Sequence, residues 1–142
     1  VLHQPLEETA MTTTNPLAAV QAVYEAFGRG DLPALLAQLQ PDVRWQFLGD
    51  RRAPYTRTVT GHDGVARWFG QVAEADGIQA FEPREFLAGP EHVTVIGWER
   101  TAALPGGQVF ECEWVHVWRL RDGRVASFWG MLDSEAAARA RT

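Results

Sequence analysis

Glu113 and Asp133 are the two carboxylates whose surroundings would let them move protons. Glu113 sits in a strand-like run and shares the parity of Val115 and Val117, so it points into a core if those valines do. A carboxyl among rings and methyl groups has its charged form disfavoured and becomes suited to general acid or base work. The competing reading pairs it with Arg100 or Arg119, or returns it to solvent at a bulge, because Glu is rarely buried alone. Asp133 follows the last strand-like run. It reads as the N-cap of a short C-terminal helix or as the acid/base group of a cyclase-type site.

The other reactive side chains form no constellation. His3, His62, His92 and His116 are scattered, without the close helical pair or cysteine partners of a zinc site, so no metal is expected. The lone Cys112 excludes an internal disulfide and reads as a small buried hydrophobe. No glycine-rich phosphate loop follows a strand, and no cofactor is expected. Tyr55 lies in a basic loop with Arg51, Arg52 and Arg57, which is either an ordinary solvated loop or a lid that would favour an anionic or carbonyl-bearing ligand.

The elements that must hold these groups follow from periodicity. Asn15-Pro16 opens a helix whose apolar face is Leu17, Val20, Val23, Tyr24 and Phe27, and Gly28 and Gly30 stop it. Asp31 caps a second helix that Pro41 terminates. Val43, Trp45 and Phe47 alternate as a half-buried strand. A third helix begins near Asp63 with Val65, Trp68, Phe69 and Val72 on one side. The period then changes to two, which predicts strands over 79–88, 92–102, 108–120 and 124–132, the last two joined by an Asp122-Gly123 hairpin turn. A short alanine-rich helix ends the chain. The strand over 92–102 is ambiguous, because Val93 and Val95 compete with Ile96 and Trp98 for the inner face.

At 142 residues the chain suits one domain, expected over 15–142, with 1–14 as a frayed or disordered leader and Met11 as a natural start. A net charge of −5 offers no basic face to nucleic acid or anionic lipid. The first ten residues lack a basic n-region and no apolar run reaches about 18 residues, so a cytoplasmic protein is expected, with neither nucleic acid nor membrane as partner. Six Trp and seven Phe must fill a core, line a pocket or cover an interface. The strand over 108–120 is apolar on both faces. With Val115 and Val117 inward, Trp114, His116 and Trp118, joined by Trp129, form an outer stripe that a homodimer would cover. His116 is then a structural, hydrogen-bonded interface residue.

The stretch from Val20 through Leu36, then Pro41-Asp-Val-Arg-Trp45, Gly61-His-Asp-Gly-Val65, and Trp114 through Asp133 resemble, in order and spacing, SnoaL-like and ketosteroid-isomerase-like proteins of the NTF2-like superfamily. The resemblance implies an α+β conical barrel, with three N-terminal helices packed on a strongly curved antiparallel sheet and a short C-terminal helix. It also implies a common dimeric state and a pocket between helices and concave sheet. Transferred to this chain, the three isomerase positions fall on Val23, Phe47 and Val115, all apolar, and the epoxide-hydrolase carboxylate falls on Gly130. Ketosteroid isomerase chemistry is therefore not expected. The expected pocket wall is Val23, Phe27, Trp45, Phe47, Tyr55, Trp68, Phe69, Trp98, Val115, Val117 and Phe128. The expected function is binding, and acid/base transformation of isomerase, cyclase or hydrolase type, of a small, mostly apolar or aromatic molecule. The alternative is a noncatalytic dimeric module filled by its own rings.

Overall fold

A computed structural model of the protein describes residues 15–142; the expected leader and His3 lie outside the described residues. Helix α1 (Pro16–Gly28) starts where predicted: Asn15 Oδ1 accepts from Ala18 N at 3.1 Å, and Pro16 occupies the first turn. Gly30, at φ +69°, makes the left-handed exit that a Cβ would resist. Asp31 caps α2 (Leu32–Ala37) through Ala34 N. That helix stops before Pro41, which lies inside β1 (Leu39–Leu48) instead of closing the helix.

A three-residue strand unmarked in the sequence, β2 (Thr58–Thr60), precedes α3 (Gly61–Ala75). The long strands β3 (Asp76–Ala88), β4 (His92–Ala103), β5 (Gln108–Arg121) and β6 (Arg124–Leu132) follow, then α4 (Ser134–Arg139). The Asp122-Gly123 turn has both residues at positive φ, 53° and 78°, and pairs Arg121 with Arg124, as the two-residue hairpin signal requires.

The six strands form one sheet in the order β2-β1-β6-β5-β4-β3. Three expectations are corrected. The sheet is mixed, since β1 runs parallel to β6. It is also open, with β2 and β3 as edges, so the cone is a curled sheet and not a closed barrel. The helices are not one N-terminal block either, because β1 and β2 separate α2 from α3. The curl comes from register shifts at Ile78/Ala80 and Pro83/Glu85 on β3 and at Arg119/Leu120 between β5 and β6. Pro83 is tolerated because β3 is an edge strand.

On β5 the residues Phe110, Cys112, Trp114, His116, Trp118 and Leu120 are all buried on the concave face. Across the ladder, Gly97 lies opposite Trp114. A Cβ built on Gly97 would overlap the Trp114 indole, so the ring's place in the core depends on that missing methyl. Gly97→Ala is expected to destabilise the fold by about 1–3 kcal/mol, the usual cost of overpacking a tight site. The urea midpoint of the variant against the wild type checks this, and an unchanged midpoint would show that Trp114 moves aside freely.

Candidate functional site

The concave sheet and α1, α2 and α3 enclose a cavity between them. The space open to a water-sized sphere is about 70 Å³, and the whole empty volume, mouth included, is about 610 Å³. Rings make most of the wall. Trp45 stacks on Phe128 at 4.1 Å between centroids, Trp118 leans on Phe128 at 4.6 Å, and Trp68 meets Phe69 edge-on at 5.0 Å. Phe27, Phe69 and Phe81 are half-buried members of the wall, as are Tyr24, Val72 and Ile78.

Two polar groups interrupt this apolar surface. The first joins helix to sheet: Tyr24 Oη lies 2.7 Å from His116 Nδ1, and Trp118 Nε1 donates to Tyr24 Oη at 3.0 Å. His116 is 8% exposed, and burial pushes its pKa down to about 3, so the imidazole is neutral. Burial likewise pushes the Tyr24 phenol up, out of its ionisable range. The second group gathers Asp76 from β3, Glu99 and Thr101 from β4, Tyr55 from the β1–β2 loop and Arg141 beyond α4. Arg141 forms an ion pair with Asp76 and donates to Tyr55 Oη and Ala75 O, each at 3.0 Å. Tyr55 is fixed further because Trp68 Nε1 donates to its carbonyl at 2.8 Å.

Glu99 differs from Asp76 in having no ion-pair partner among the described residues, with Arg141 acting on it only at longer range. Its one side-chain partner is the Thr101 hydroxyl, which donates to Oε2 at 2.5 Å. Burial, with the Asp76 charge adding to it, pushes the Glu99 carboxyl up to about 7. Burial raises Asp76 too, against the pull of Arg141. The cavity thus holds two carboxyls in different states of compensation, and the one without a counter-ion is poised to gain or lose a proton near neutrality.

The sequence-based placements divide by strand parity. Val23, Phe27, Trp45, Phe47, Tyr55, Trp68, Phe69 and Phe128 line the cavity. Val115, Val117 and Glu113 do not: β5 turns its even-numbered side chains inward, which leaves those three on the convex face, Glu113 exposed. Trp98 is corrected in the same way, because Val93, Val95 and Glu99 take the inner face of β4 and leave Trp98 outside, under the Arg84 guanidinium at 5.0 Å. The same inversion moves Trp114, His116 and Trp118 from the supposed dimer face into the interior; of that set only Trp129 stays on the convex side, opposite Val117.

Asp133 is exposed and caps α4, its Oδ1 accepting from Ala136 N at 3.3 Å. Arg51, Arg52 and Arg57 stay at the surface, Arg52 paired with Asp50 at 2.7 Å. At Gly130 a side chain would collide with Phe128 and His116, so this wall has no room for a carboxylate. Cys112 is buried as read, and burial pushes its thiol up to about 12. Among the described residues no group of three His, Cys, Asp or Glu is arranged to hold a metal ion, and no helix is long and apolar enough to cross a membrane.

Tyr24, Asp76, Glu99, Thr101 and Arg141 were not anticipated as site residues. Gly97 carried a usable signal for Glu99, because a glycine in a strand marks close approach by a neighbour. Placing Gly97 inward puts Val93, Val95, Glu99 and Thr101 inward with it.

The sequence profile of the SnoaL-like domain family matches residues 20–128. No curated protein matches the chain. Among solved structures, it is similar to an NTF2-like protein of unknown function from Burkholderia pseudomallei, at 36% identity and TM-score 0.82 over 91% of this chain and 98% of the other. An NTF2-like protein from Burkholderia xenovorans is 31% identical, TM-score 0.82, over 92% and 99%. TerC, co-crystallised with polyporic acid, is 26% identical, TM-score 0.80, over 89% and 97%.

The Glu99 environment has a measurable consequence. Folded Glu99 holds its proton to about pH 7, against an ordinary value of 4.5. Its contribution to stability is therefore whole below pH 4.5 and is lost as pH rises to 7. The neutral His116 acts with opposite sign at lower pH, so the variant is compared with the wild type at each pH. Glu99→Gln should gain on the wild type by roughly 2–3 kcal/mol between pH 5 and pH 8, read from urea unfolding. A pH-independent difference would mean that Glu99 titrates normally.

Proposed function

The chain belongs to the SnoaL-like domain family, and we propose on that footing that it binds a small, flat, mostly apolar molecule inside the cone and moves a proton on it, with Glu99 as the acid/base group. The observation that carries this reading is the Glu99 carboxyl on a ring-lined cavity wall, without an ion-pair partner among the described residues and raised to about 7. A structural carboxylate would be expected to sit like Asp76, against a cation. The co-crystallisation of TerC with polyporic acid supports a small-molecule ligand in a cone of this kind. Ring walls with a few placed polar groups are the usual construction of such sites. Entry of a one-ring ligand requires Phe27, Phe69 or Phe81 to turn, since about 70 Å³ is less than such a molecule fills.

That same tightness favours a second reading, a noncatalytic dimeric module whose cone is filled by its own side chains. The convex face presents Ile96, Trp98, Val115, Val117, Trp129 and Met131, and a second copy of the chain is the occupant we assign to it in either reading. Sedimentation is expected to give a dimer mass that falls on dilution. Val117→Glu, away from the cavity, should give a monomer with the same fold; a monomer mass for the wild type removes the dimer.

Deuterium exchange separates the two functions. Aromatic ketones with exchangeable α-hydrogens, incubated with the protein in D2O and followed by NMR, should exchange faster as pH rises through about 7, where Glu99 becomes a base. Glu99→Gln should still bind them and lose at least 100-fold of the exchange rate. Binding without exchange would leave a ligand-binding module, and no binding would leave the filled scaffold.

A further inference from the structure

The hydrogen bonds around Tyr24 have a direction that geometry and donor chemistry fix together. An indole N–H only donates, so Trp118 Nε1 donates to Tyr24 Oη at 3.0 Å. The Tyr24 hydroxyl proton then needs an acceptor. Among the described residues, the one other group at hydrogen-bond distance is His116 Nδ1, at 2.7 Å. Were Nδ1 the donor, the phenol would accept twice and its own buried O–H would point at nothing, a costly arrangement in an apolar interior. The satisfied chain runs Trp118 N–H to Tyr24 O, then Tyr24 O–H to His116 Nδ1. A neutral imidazole carries one ring proton, so that proton is on Nε2.

Nε2 lies on the ring edge away from Tyr24 and has no protein partner among the described residues, while the ring itself lines the cavity. A second donor belongs to the same wall. Trp45 Nε1 is buried without a protein partner, and the Trp45 and His116 rings both pack on Phe128, at 4.1 and 4.9 Å. Two neutral N–H donors thus belong to rings that pack on Phe128, with no protein acceptor for either among the described residues.

Resting on the small-molecule reading above, we propose that His116 Nε2–H, locked as donor by the Trp118–Tyr24 relay, is the recognition point for an uncharged acceptor oxygen, and that the ligand class is aromatic carbonyl compounds. Neutral donors in an apolar wall select such an oxygen over both a hydrocarbon and a hydroxyl that must donate. A carboxylate ligand is disfavoured, because among the described residues no Lys or Arg lines the cavity, and Arg141 is held by Asp76.

Two probes of nearly equal shape test this, acetophenone and α-methylstyrene, which differ in C=O against C=CH2. Nitrogen-15 NMR of the wild type should show His116 as the Nε2–H tautomer from neutral pH down to about 5. NMR titration should show acetophenone binding about tenfold tighter than α-methylstyrene, the size of one net hydrogen bond. Tyr24→Phe, which frees Nδ1, should give mixed tautomers and cut the preference at least threefold. Arg119→Gln, on the convex side of β5, should leave it unchanged. An Nδ1–H tautomer, or equal binding of the two probes, overturns the proposal while leaving a binding cone in place. Failure of both probes to bind defeats the proposal and the small-molecule reading together, whereas loss of deuterium exchange with the ketone preference intact defeats only the acid/base role of Glu99.

Discussion

The inside of this molecule is decided by which side of β5 its even-numbered residues occupy. A strand has a period of two, so one choice places Phe110, Cys112, Trp114, His116, Trp118 and Leu120 together on the concave face. Gly97 opposite Trp114 accommodates the largest ring in that row, and the pairing of β4 with β5 carries the same choice to Glu99 and Thr101. From β5 the constraint spreads both ways, to the aromatic wall on β1 and β6 and to the polar group beside β3. The reverse choice would have put two tryptophans on the surface and Glu113 in the cone.

Electrostatics inside the cone follow from a shortage of positive charge. Two carboxyls, Asp76 and Glu99, line the cavity, and Arg141, which is not part of its wall, is committed to Asp76 by an ion pair between nearly fully buried partners. A buried pair of this kind gains little net stability, since desolvation offsets attraction. Its effect is on difference: one carboxyl keeps a counter-ion and the other is left to titrate. The Tyr24–His116 group sits among rings and has no charge at all, so the cavity combines a proton-exchanging side with a purely dipolar one.

How much of this could be read from the sequence varies with the physical origin of each feature. Local chemistry was legible. Asn15, Asp31 and Asp133 cap helices because a side-chain oxygen beside free backbone N–H groups has that consequence wherever it occurs. Asp122-Gly123 makes its turn for an equally local reason. Most of the aromatic wall was legible too, because Trp45, Phe47, Trp68 and Phe128 lie on faces that local periodicity defines. The facing of β4 and β5 was not. Both strands are apolar on each side, so alternation left the inner face undecided, and transferring isomerase positions onto Val115 selected the wrong parity. Because the period is two, that error inverted every assignment on the strand, exchanging Glu113 for His116 and Val117 for Trp118. The parallel pairing of β1 with β6 and the arrival of Arg141 beside Asp76 depend on contacts between residues far apart in sequence, which no local pattern records.

An open sheet carries a liability that a closed barrel avoids, since each edge strand offers a row of unpaired backbone groups to another chain. Here the two edges are unequal. One is β2, three residues long and too short to template much growth. The other, β3, runs for thirteen residues, yet its middle reads Glu82-Pro83-Arg84-Glu85. Proline removes a donor from the ladder, the register breaks beside it, and an ion pair between Arg84 and Glu82 at 2.9 Å sets charge along the rim. Strand-to-strand polymerisation is thereby discouraged at both ends of the sheet.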